Sequence, residues 1–489
     1  CDMNAVLVAL LLASSCAGLP AGKPWKGHST DWSEEFGDTT RWFEDQKQDH
    51  FDATSSATFR QRYFVNASFF DGTGPVFLCV GGEGPPLAPT VVITGGEHCA
   101  WMIHLAEKHR ALILALEHRY YGPSVPVADF STPNMRFLSS EQALADMAYF
   151  HGFVVSEHKL TQANKWVTFG GSYPGMMASF ARLKYPNLFH ASVSSSAPVQ
   201  AKVNMQGYND VCASSIASEL VGGSADCLAQ TELMFEALGN GLKTAESRRA
   251  LEKTLNVCQP GALESVENQG VLINNMNYLY PIQGNDPDCT TPGCNIREIC
   301  KVARNVSSSP LERLAELSRI TFGSSCVDVD YKEEIASLTN TTLQGGVGRI
   351  WFWQTCTEFA FYQTCDPGTR CPFTKSPHLN NLQSYFDQCE AAFGIKPKTI
   401  EEHVDYSNAF YGGDHPKGTR ILYVNGDIDP WHALSVLPPS PSAADLPAIM
   451  VPGASHHSWT HPLRPTDTQA LREARAAIAY QVAEWLAVE

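Results

Sequence analysis

Short, unbroken apolar runs ending in glycine or a polar turn recur along this chain, and they predict strands buried on both faces, as in a parallel sheet. Pro75-Val76-Phe77-Leu78-Cys79-Val80 opens into Gly81-Gly82-Glu83-Gly84-Pro85, and Trp166-Val167-Thr168-Phe169 into Gly170-Gly171-Ser172-Tyr173-Pro174-Gly175. Ile421-Leu422-Tyr423-Val424 leads into Asn425-Gly426-Asp427-Ile428-Asp429-Pro430-Trp431, and Ala448-Ile449-Met450-Val451 into Pro452-Gly453-Ala454-Ser455-His456-His457. A helix-like run from Met176 to Tyr185 follows the second of these turns. Leu471, Ala474, Ile478, Val482 and Trp485 stripe one face of a C-terminal helix. This alternation over 60–200, resumed over 405–489, predicts an α/β fold. The intervening 201–404 is richer in cysteine, with helical runs such as Thr231–Leu238 and turns around Gly284–Pro287. It reads as a mainly helical insertion capping the sheet, and 19–59 reads as a lead-in.

The glycine-flanked serine after the second strand reads as a nucleophile elbow, in which one residue turns strand into helix and leaves its hydroxyl exposed. The match to G-x-S-x-G is imperfect, because Pro174 stands where glycine is usual; proline is tolerated in the first turn of a helix, where its missing N–H has no partner to lose. Serine needs a base and an orienting acid. An aspartate and then a histidine follow the next two predicted strands, and the order Ser, Asp, His past strand ends is that of the α/β-hydrolase arrangement. Ser172 is thus the expected nucleophile, His456 the base and Asp429 the acid. Asp427 and His457 stand beside them as alternatives, Asp427 being placed for local turn hydrogen bonds. The His456-His457 pair has no H-E-x-x-H or second ligand cluster to support zinc. Donors for the developing oxyanion are expected from the backbone N–H groups of Tyr173 and Gly82.

Taken together these residues resemble the serine exopeptidases that include lysosomal Pro-X carboxypeptidase, dipeptidyl peptidase II and thymus-specific serine protease. The resemblance runs from Trp42-Phe43 and Gln48-Asp49-His50-Phe51 through Gly82-Glu83-Gly84 and Glu117-His118-Arg119-Tyr120-Tyr121-Gly122. It continues through Gly170–Gly175, Ser195-Ser196-Ala197-Pro198, Gln354-Thr355-Cys356-Thr357-Glu358, Asn425–Trp431 and Gly453–His457. In form it is nearest the thymus-specific branch. It implies an α/β-hydrolase fold with a helical, disulfide-containing cap, and a triad of Ser172, Asp429 and His456. Met176 and Trp431 match positions that in the family look like walls of a proline pocket. The other branches carry glycine at the position of Pro174, so their proline specificity does not transfer directly. A cap over the triad admits chain ends, and Glu83 and Glu358 are candidates for holding a terminal amine.

Composition narrows the setting. The formal charge of −16 and pI near 5.4 disfavour nucleic acid and anionic membranes as partners. Ala5–Ala13 is an apolar run of signal-peptide length, with Met3 as the natural start and a boundary near residue 18; no anchor is expected after its removal. Fifteen cysteines without a C-x-x-C pattern indicate an oxidising compartment. Removing Cys1 and Cys16 leaves an odd number, hence an unpaired thiol, for which Cys79 within its apolar strand is the candidate. Sequons at Asn66, Asn305 and Asn340 fit the secretory route, whether to a lysosome or vacuole or to the outside. The expected partners are peptides, no cofactor or metal is required, and a homodimer stays open. The leading reading is a serine exopeptidase cleaving after proline or a small residue. An esterase or endopeptidase on the same triad is the runner-up, and a non-catalytic hydrolase-fold binding protein, which would normally have lost a triad member, is the third.

Overall fold

The apolar runs fall in one eight-stranded sheet, three of them inside it and the last, Ala448–Val451, at its edge. The computed structural model describes residues 39–96, 98–343, 346–374, 379–440 and 444–488, so the expected signal segment 1–18, with Cys1 and Cys16, lies outside the described residues. Strands β1 (Thr40–Lys47), β2 (Thr58–Asn66), β3 (Val76–Val80), β4 (Leu112–Leu116), β5 (Trp166–Gly171), β6 (Ala191–Ser195), β9 (Ile421–Gly426) and β10 (Ala448–Val451) lie in the order β1-β2-β4-β3-β5-β6-β9-β10. Only β2 runs against its neighbours. Every residue of β3, β4, β5, β6 and β9 is buried, which is why β3, β5 and β9 read as unbroken apolar runs. The sheet begins earlier than the pattern suggested, since β1 belongs to the stretch expected as a lead-in. A bulge between Phe43 and Gln46 breaks its alternation, and half of its residues are exposed at the sheet edge.

Helices longer than two turns are numbered in chain order. On one face of the sheet, α2 (Ser140–Glu157) and α3 (Tyr173–Lys184) bury Leu144, Met147, Phe150, Met177 and Phe180. On the other, α1 (Ala100–His109) packs beside the C-terminal α14 (Gln469–Ala487), whose predicted stripe from Leu471 to Trp485 is buried throughout. Together these elements make an α/β-hydrolase fold with a helical cap.

Between β6 and β9 stand α4 (Gln206–Ile216), α5 (Ala225–Gly241), α6 (Ala245–Leu255), α7 (Val266–Asn277), α8 (Ile296–Ala303), α9 (Pro310–Phe322), α10 (Tyr331–Thr339), α11 (Gly346–Gln354), α12 (Leu382–Phe393) and α13 (Pro397–Tyr411). A two-stranded sheet of β7 (Lys202–Asn204) and β8 (Ala360–Tyr362) lies among them. These helices divide between two cores. Met234, Phe235, Leu272, Ile299 and Leu314 build a core of the cap's own, whereas Trp351, Trp353, Phe386, Val404 and Tyr411 join the core beneath the sheet. Among the described residues no helix is long and apolar enough to cross a membrane.

Among the described residues six disulfides staple the chain, five of them in the cap insertion, including Cys227–Cys300, Cys258–Cys326, Cys289–Cys294 and Cys365–Cys371. Those closing separations of 73 and 68 residues each constrain the unfolded chain by about 4 kcal/mol on a chain-entropy estimate. Cys356 pairs with Cys389. The thiol expected to be free is not: Cys79 is bonded to Cys99 at the start of α1, because its side chain points out of β3 toward that helix. Among the described residues the free cysteine is Cys212, buried on α4.

Candidate active site

β5 ends at Gly171 and α3 begins at Tyr173, so Ser172 makes the turn, with φ 63° and ψ −133°. A non-glycine residue held there costs on the order of 1–3 kcal/mol and persists only where its surroundings fix it. Ser172 N–H donates to Ser195 O on β6 (2.9 Å), and Ser172 O accepts from Met176 N–H (3.0 Å). Close approach explains the glycine before it, since a Cβ at Gly170 would stand 2.1 Å from Pro174 O. The unusual proline has its own counterpart: its ring fills the space a Cβ at Gly82 would need, with Cγ 2.2 Å away. The elbow and the Gly81–Pro85 loop are therefore seated against each other. Gly82→Ala is expected to lower stability by about 1–3 kcal/mol through overpacking, and Pro174→Gly in the same chain to restore most of it. Thermal unfolding of the two single variants and the double variant measures that coupling.

The acid and base lie past β9 and β10. Asp427 Oδ1 accepts from Gly453 N–H (2.6 Å), a turn contact. Asp429 is fully buried; its Oδ1 accepts from Trp431 N–H (3.0 Å) and its Oδ2 lies 2.8 Å from His456 Nδ1. A carboxylate only accepts, so in the neutral ring Nδ1 carries the proton and Nε2 is the acceptor. His456 Nε2 is buried with no hydrogen-bond partner among the described residues. The same short strand end fixes the histidine loop and the serine turn: Ser195 Oγ accepts from Trp459 Nε1 (2.9 Å), and Ser196 Oγ from His457 N–H (2.8 Å). The His457 ring lies so close to Gly171 that a Cβ there would be 2.8 Å from it. The cap supplies further ties that no motif signals, His456 N–H to Gln283 O (3.1 Å) and Ser455 Oγ to Asn285 O (2.9 Å).

A serine turn, a bonded aspartate–histidine pair and this sheet order occur in hydrolases of many kinds, so geometry alone leaves the family open. The family model described as serine carboxypeptidase S28 matches residues 46–478. The chain belongs to the serine carboxypeptidase S28 family. It is 38% identical over 463 residues to thymus-specific serine protease of Mus musculus, covering 91% of this chain and 87% of that one. It is 36% identical over 457 residues to the Homo sapiens protein of the same name, with 91% and 86% covered. Lysosomal Pro-X carboxypeptidase of Homo sapiens is 26% identical over 455 residues, with 90% and 87% covered. This S28 chain is accordingly a serine-type peptidase.

The remaining expected residues of this S28 peptidase fall into different surroundings. As the first residue of α3, Tyr173 has an N–H that no carbonyl of its own helix can meet. Its hydroxyl accepts from Gln354 Nε2 (2.9 Å) and lies 3.0 Å from His118 Nε2. Glu358 belongs to the same buried network: Ser140 N–H and Oγ–H donate to Oε1 (2.8 and 2.5 Å), and Gln354 Nε2 to Oε2 (3.1 Å). Both its oxygens accept hydrogen bonds from within the protein, and Gln354 links it to the Tyr173 hydroxyl. Glu83 has no hydrogen bond or ion pair to any described side chain, and its carboxylate lies within electrostatic reach of Tyr121 and Tyr173. Met176 is buried in the core beneath the elbow. Trp431 stands between cap and base, its ring 6.4 Å from that of His456 and edge-on to Tyr208 and Phe361, with Nε1 donating to Gln283 Oε1 (2.9 Å). Asn305 and Asn340 are exposed, whereas Asn66 Nδ2 donates to Val92 O (2.9 Å).

Burial pulls the titration of two sets of groups in opposite directions. His98, His118 and His461 are pushed down to about 4, and Glu83, Glu334 and Glu358 up to about 7. For the histidines the unfolded chain takes up protons first, so stability present above pH 6.5 is lost as pH falls toward 4. For the glutamates the folded chain takes them up first, so stability present below pH 4.5 is lost as pH rises through 7. Between pH 4.5 and 6.5 the two sets oppose each other. Tm is therefore expected to change little across that window and to fall below it as the histidines continue to protonate; a Tm profile from pH 3.5 to 8 checks this.

Proposed function

We propose that this protein is a serine exopeptidase that removes short fragments from peptide ends, cleaving after proline or a small residue. Ser172 Oγ attacks the acyl carbon while His456 Nε2 takes its proton and then passes it to the leaving amine; Asp429 holds the tautomer and the imidazolium. The oxyanion is met by the N–H groups of Tyr173, at the start of α3, and Gly82. Water attacks the acyl-enzyme with His456 again as base. The observation that carries this reading is the buried Asp429–His456 pair at 2.8 Å with an unengaged Nε2, in a loop tied to the strand end that holds Ser172.

The proline preference rests on the relatives named Pro-X carboxypeptidase and on Trp431 as an aromatic wall beside His456. A carboxylate that meets no described side chain makes Glu83 the proposed anchor for a substrate amine. The six disulfides point to passage through an oxidising secretory compartment, with glycans at Asn305 and Asn340; a glycan on Asn66 would cost its bond to Val92 O. The test is hydrolysis of Xaa-Pro-Yaa peptides with free, amino-blocked and carboxy-blocked ends. Cleavage that needs a free amine, with KM raised by Glu83→Gln only for free-amine peptides, supports the amine anchor. Cleavage that needs a free carboxylate assigns carboxypeptidase action and removes that role from Glu83. Faster cleavage of doubly blocked or internal sites contradicts exopeptidase action.

A further inference from the structure

Two motifs that the reaction above does not use, Glu117–Gly122 and Gln354-Thr355-Cys356-Thr357-Glu358, meet at one side chain of the elbow. Tyr173 is buried, its ring set against His118, Trp351 and Phe359. The directions of its hydrogen bonds follow from their partners. Arg119 O is a carbonyl and only accepts, so His118 Nδ1 carries the proton of that 2.7 Å contact, and burial, which pushes the ring down to about 4, keeps it neutral. His118 Nε2 is therefore an acceptor, and the Tyr173 hydroxyl donates to it (3.0 Å). Gln354, the last residue of α11 in the cap insertion, is oriented from both ends: its Oε1 accepts from the Tyr121 hydroxyl (2.6 Å), and its Nε2 donates to Glu358 Oε2 (3.1 Å). The other N–H of that amide donates to the Tyr173 oxygen (2.9 Å). Ser140 at the start of α2 holds the second oxygen of Glu358, and the Tyr411 hydroxyl in turn lies 2.8 Å from Ser140 Oγ. All of these side chains are buried.

Buried polar partners add little stability over apolar side chains of the same shape, so what they contribute here is direction. The Tyr173 hydroxyl is the far end of the residue whose N–H opens α3. Held at its tip by residues 55 and 181 positions away in the chain, the phenol fixes its own ring and, through Cα, the peptide plane between Ser172 and Tyr173. That plane follows a serine at φ 63°, a conformation its surroundings must maintain. A donor to a developing oxyanion acts only at hydrogen-bond distance, and a displacement of about 1 Å can cost about 10²-fold. We propose that His118 and Gln354 are positioning residues for the reaction: by locking the Tyr173 hydroxyl from two sides they aim the Tyr173 N–H at the oxyanion. The proposal rests on the reading of that N–H as an oxyanion donor beside Ser172.

The rate at which a fluorophosphonate phosphonylates Ser172 provides the test, since its phosphoryl oxygen calls on the same donors, together with kcat and KM for one peptide. Tyr173→Phe, His118→Leu and Gln354→Leu are each expected to slow phosphonylation and lower kcat by about 10- to 100-fold with KM unchanged. His118→Gln, whose amide oxygen can accept from the hydroxyl, regains most of that loss, a distinction that a merely structural role for the ring does not make. Ile478→Ala, buried on α14 at the opposite face of the sheet, measures lost stability alone, and at an equal interval below Tm it reacts at the wild-type rate. Wild-type rates in Tyr173→Phe and both leucine variants overturn the proposal. So do an equal slowing in Ile478→Ala, a raised KM with kcat unchanged, or a His118→Gln no faster than His118→Leu. A wild type that is labelled but cleaves no peptide removes the peptidase reading and leaves the labelling rates to decide the proposal. A wild type that is not labelled at Ser172 removes both.

Discussion

Ser172→Ala is expected to lower kcat for peptide hydrolysis by about 10⁴- to 10⁶-fold while leaving Tm nearly unchanged, because the proposed mechanism makes the hydroxyl the bond-forming group and alanine keeps the backbone bonds of the turn. Removing the base should cost as much: His456→Ala falls in the same range, and the double variant Ser172→Ala/His456→Ala is no slower than either alone, since the groups act as one unit. The neighbouring alternatives separate cleanly. Asp429→Asn is expected to lose about 10⁴-fold through the wrong histidine tautomer, whereas Asp427→Asn, whose carboxylate accepts from Gly453 N–H, should lose less than about tenfold. Steady-state and burst kinetics on one peptide substrate measure all of these. A fully active Asp429→Asn would dismantle the proposed acid–base pair.

The largest expected effect on stability lies behind the elbow. Arg119 is fully buried and all five of its N–H donors are engaged. Nε and Nη2 meet the two oxygens of Asp146 (2.6 and 2.5 Å), Nη1 donates to Gln48 O and Phe137 O, and Nη2 also to Lys47 O. Asp146 Oδ1 also lies 2.8 Å from His50 Nε2. Asp146→Ala leaves the guanidinium without its counter-charge inside the protein and should destabilise by about 3–5 kcal/mol. Removing the exposed partner Glu402, which faces Lys398 on α13, should change stability by less than about 0.5 kcal/mol. Thermal scans at one fixed rate compare the two. The effect reaches the site because His118, next to Arg119, touches the Tyr173 hydroxyl, so a destabilised Asp146→Ala protein should also lose activity well below its Tm.

What the sequence disclosed follows from how each feature is made. Strands buried on both faces leave a one-dimensional trace, so β3, β5 and β9 were legible as apolar runs, as was the partly buried edge strand β10, and so were the turns that close them. β1 was missed because an exposed edge with a bulge has no clean period. The pairing of Cys79 with Cys99 was invisible for a related reason: an apolar neighbourhood says that a thiol is buried but not what it faces. The blocks Gln48–Phe51 and Glu117–Gly122 could be quoted as motifs without revealing their use, which is to meet around Arg119 and Asp146 across 71 and 27 residues of chain. Gln283 and Asn285 left no signal at all. They hold the His456 loop mainly through backbone carbonyls, and any residue supplies those. Glu358 stands in a recognisable motif, but its hydrogen bonds to Ser140 and Gln354 join segments far apart in the chain or along one helical turn and left no trace there.

Covalent labelling with a fluorophosphonate, followed by peptide mass spectrometry, tests the central claim most directly. A single adduct on Ser172, formed in the wild type, lost in Ser172→Ala and slowed at least about a thousandfold in His456→Ala, is the predicted result. No adduct on Ser172, or an equally fast one in His456→Ala, would contradict the assignment of Ser172 as a nucleophile activated by His456.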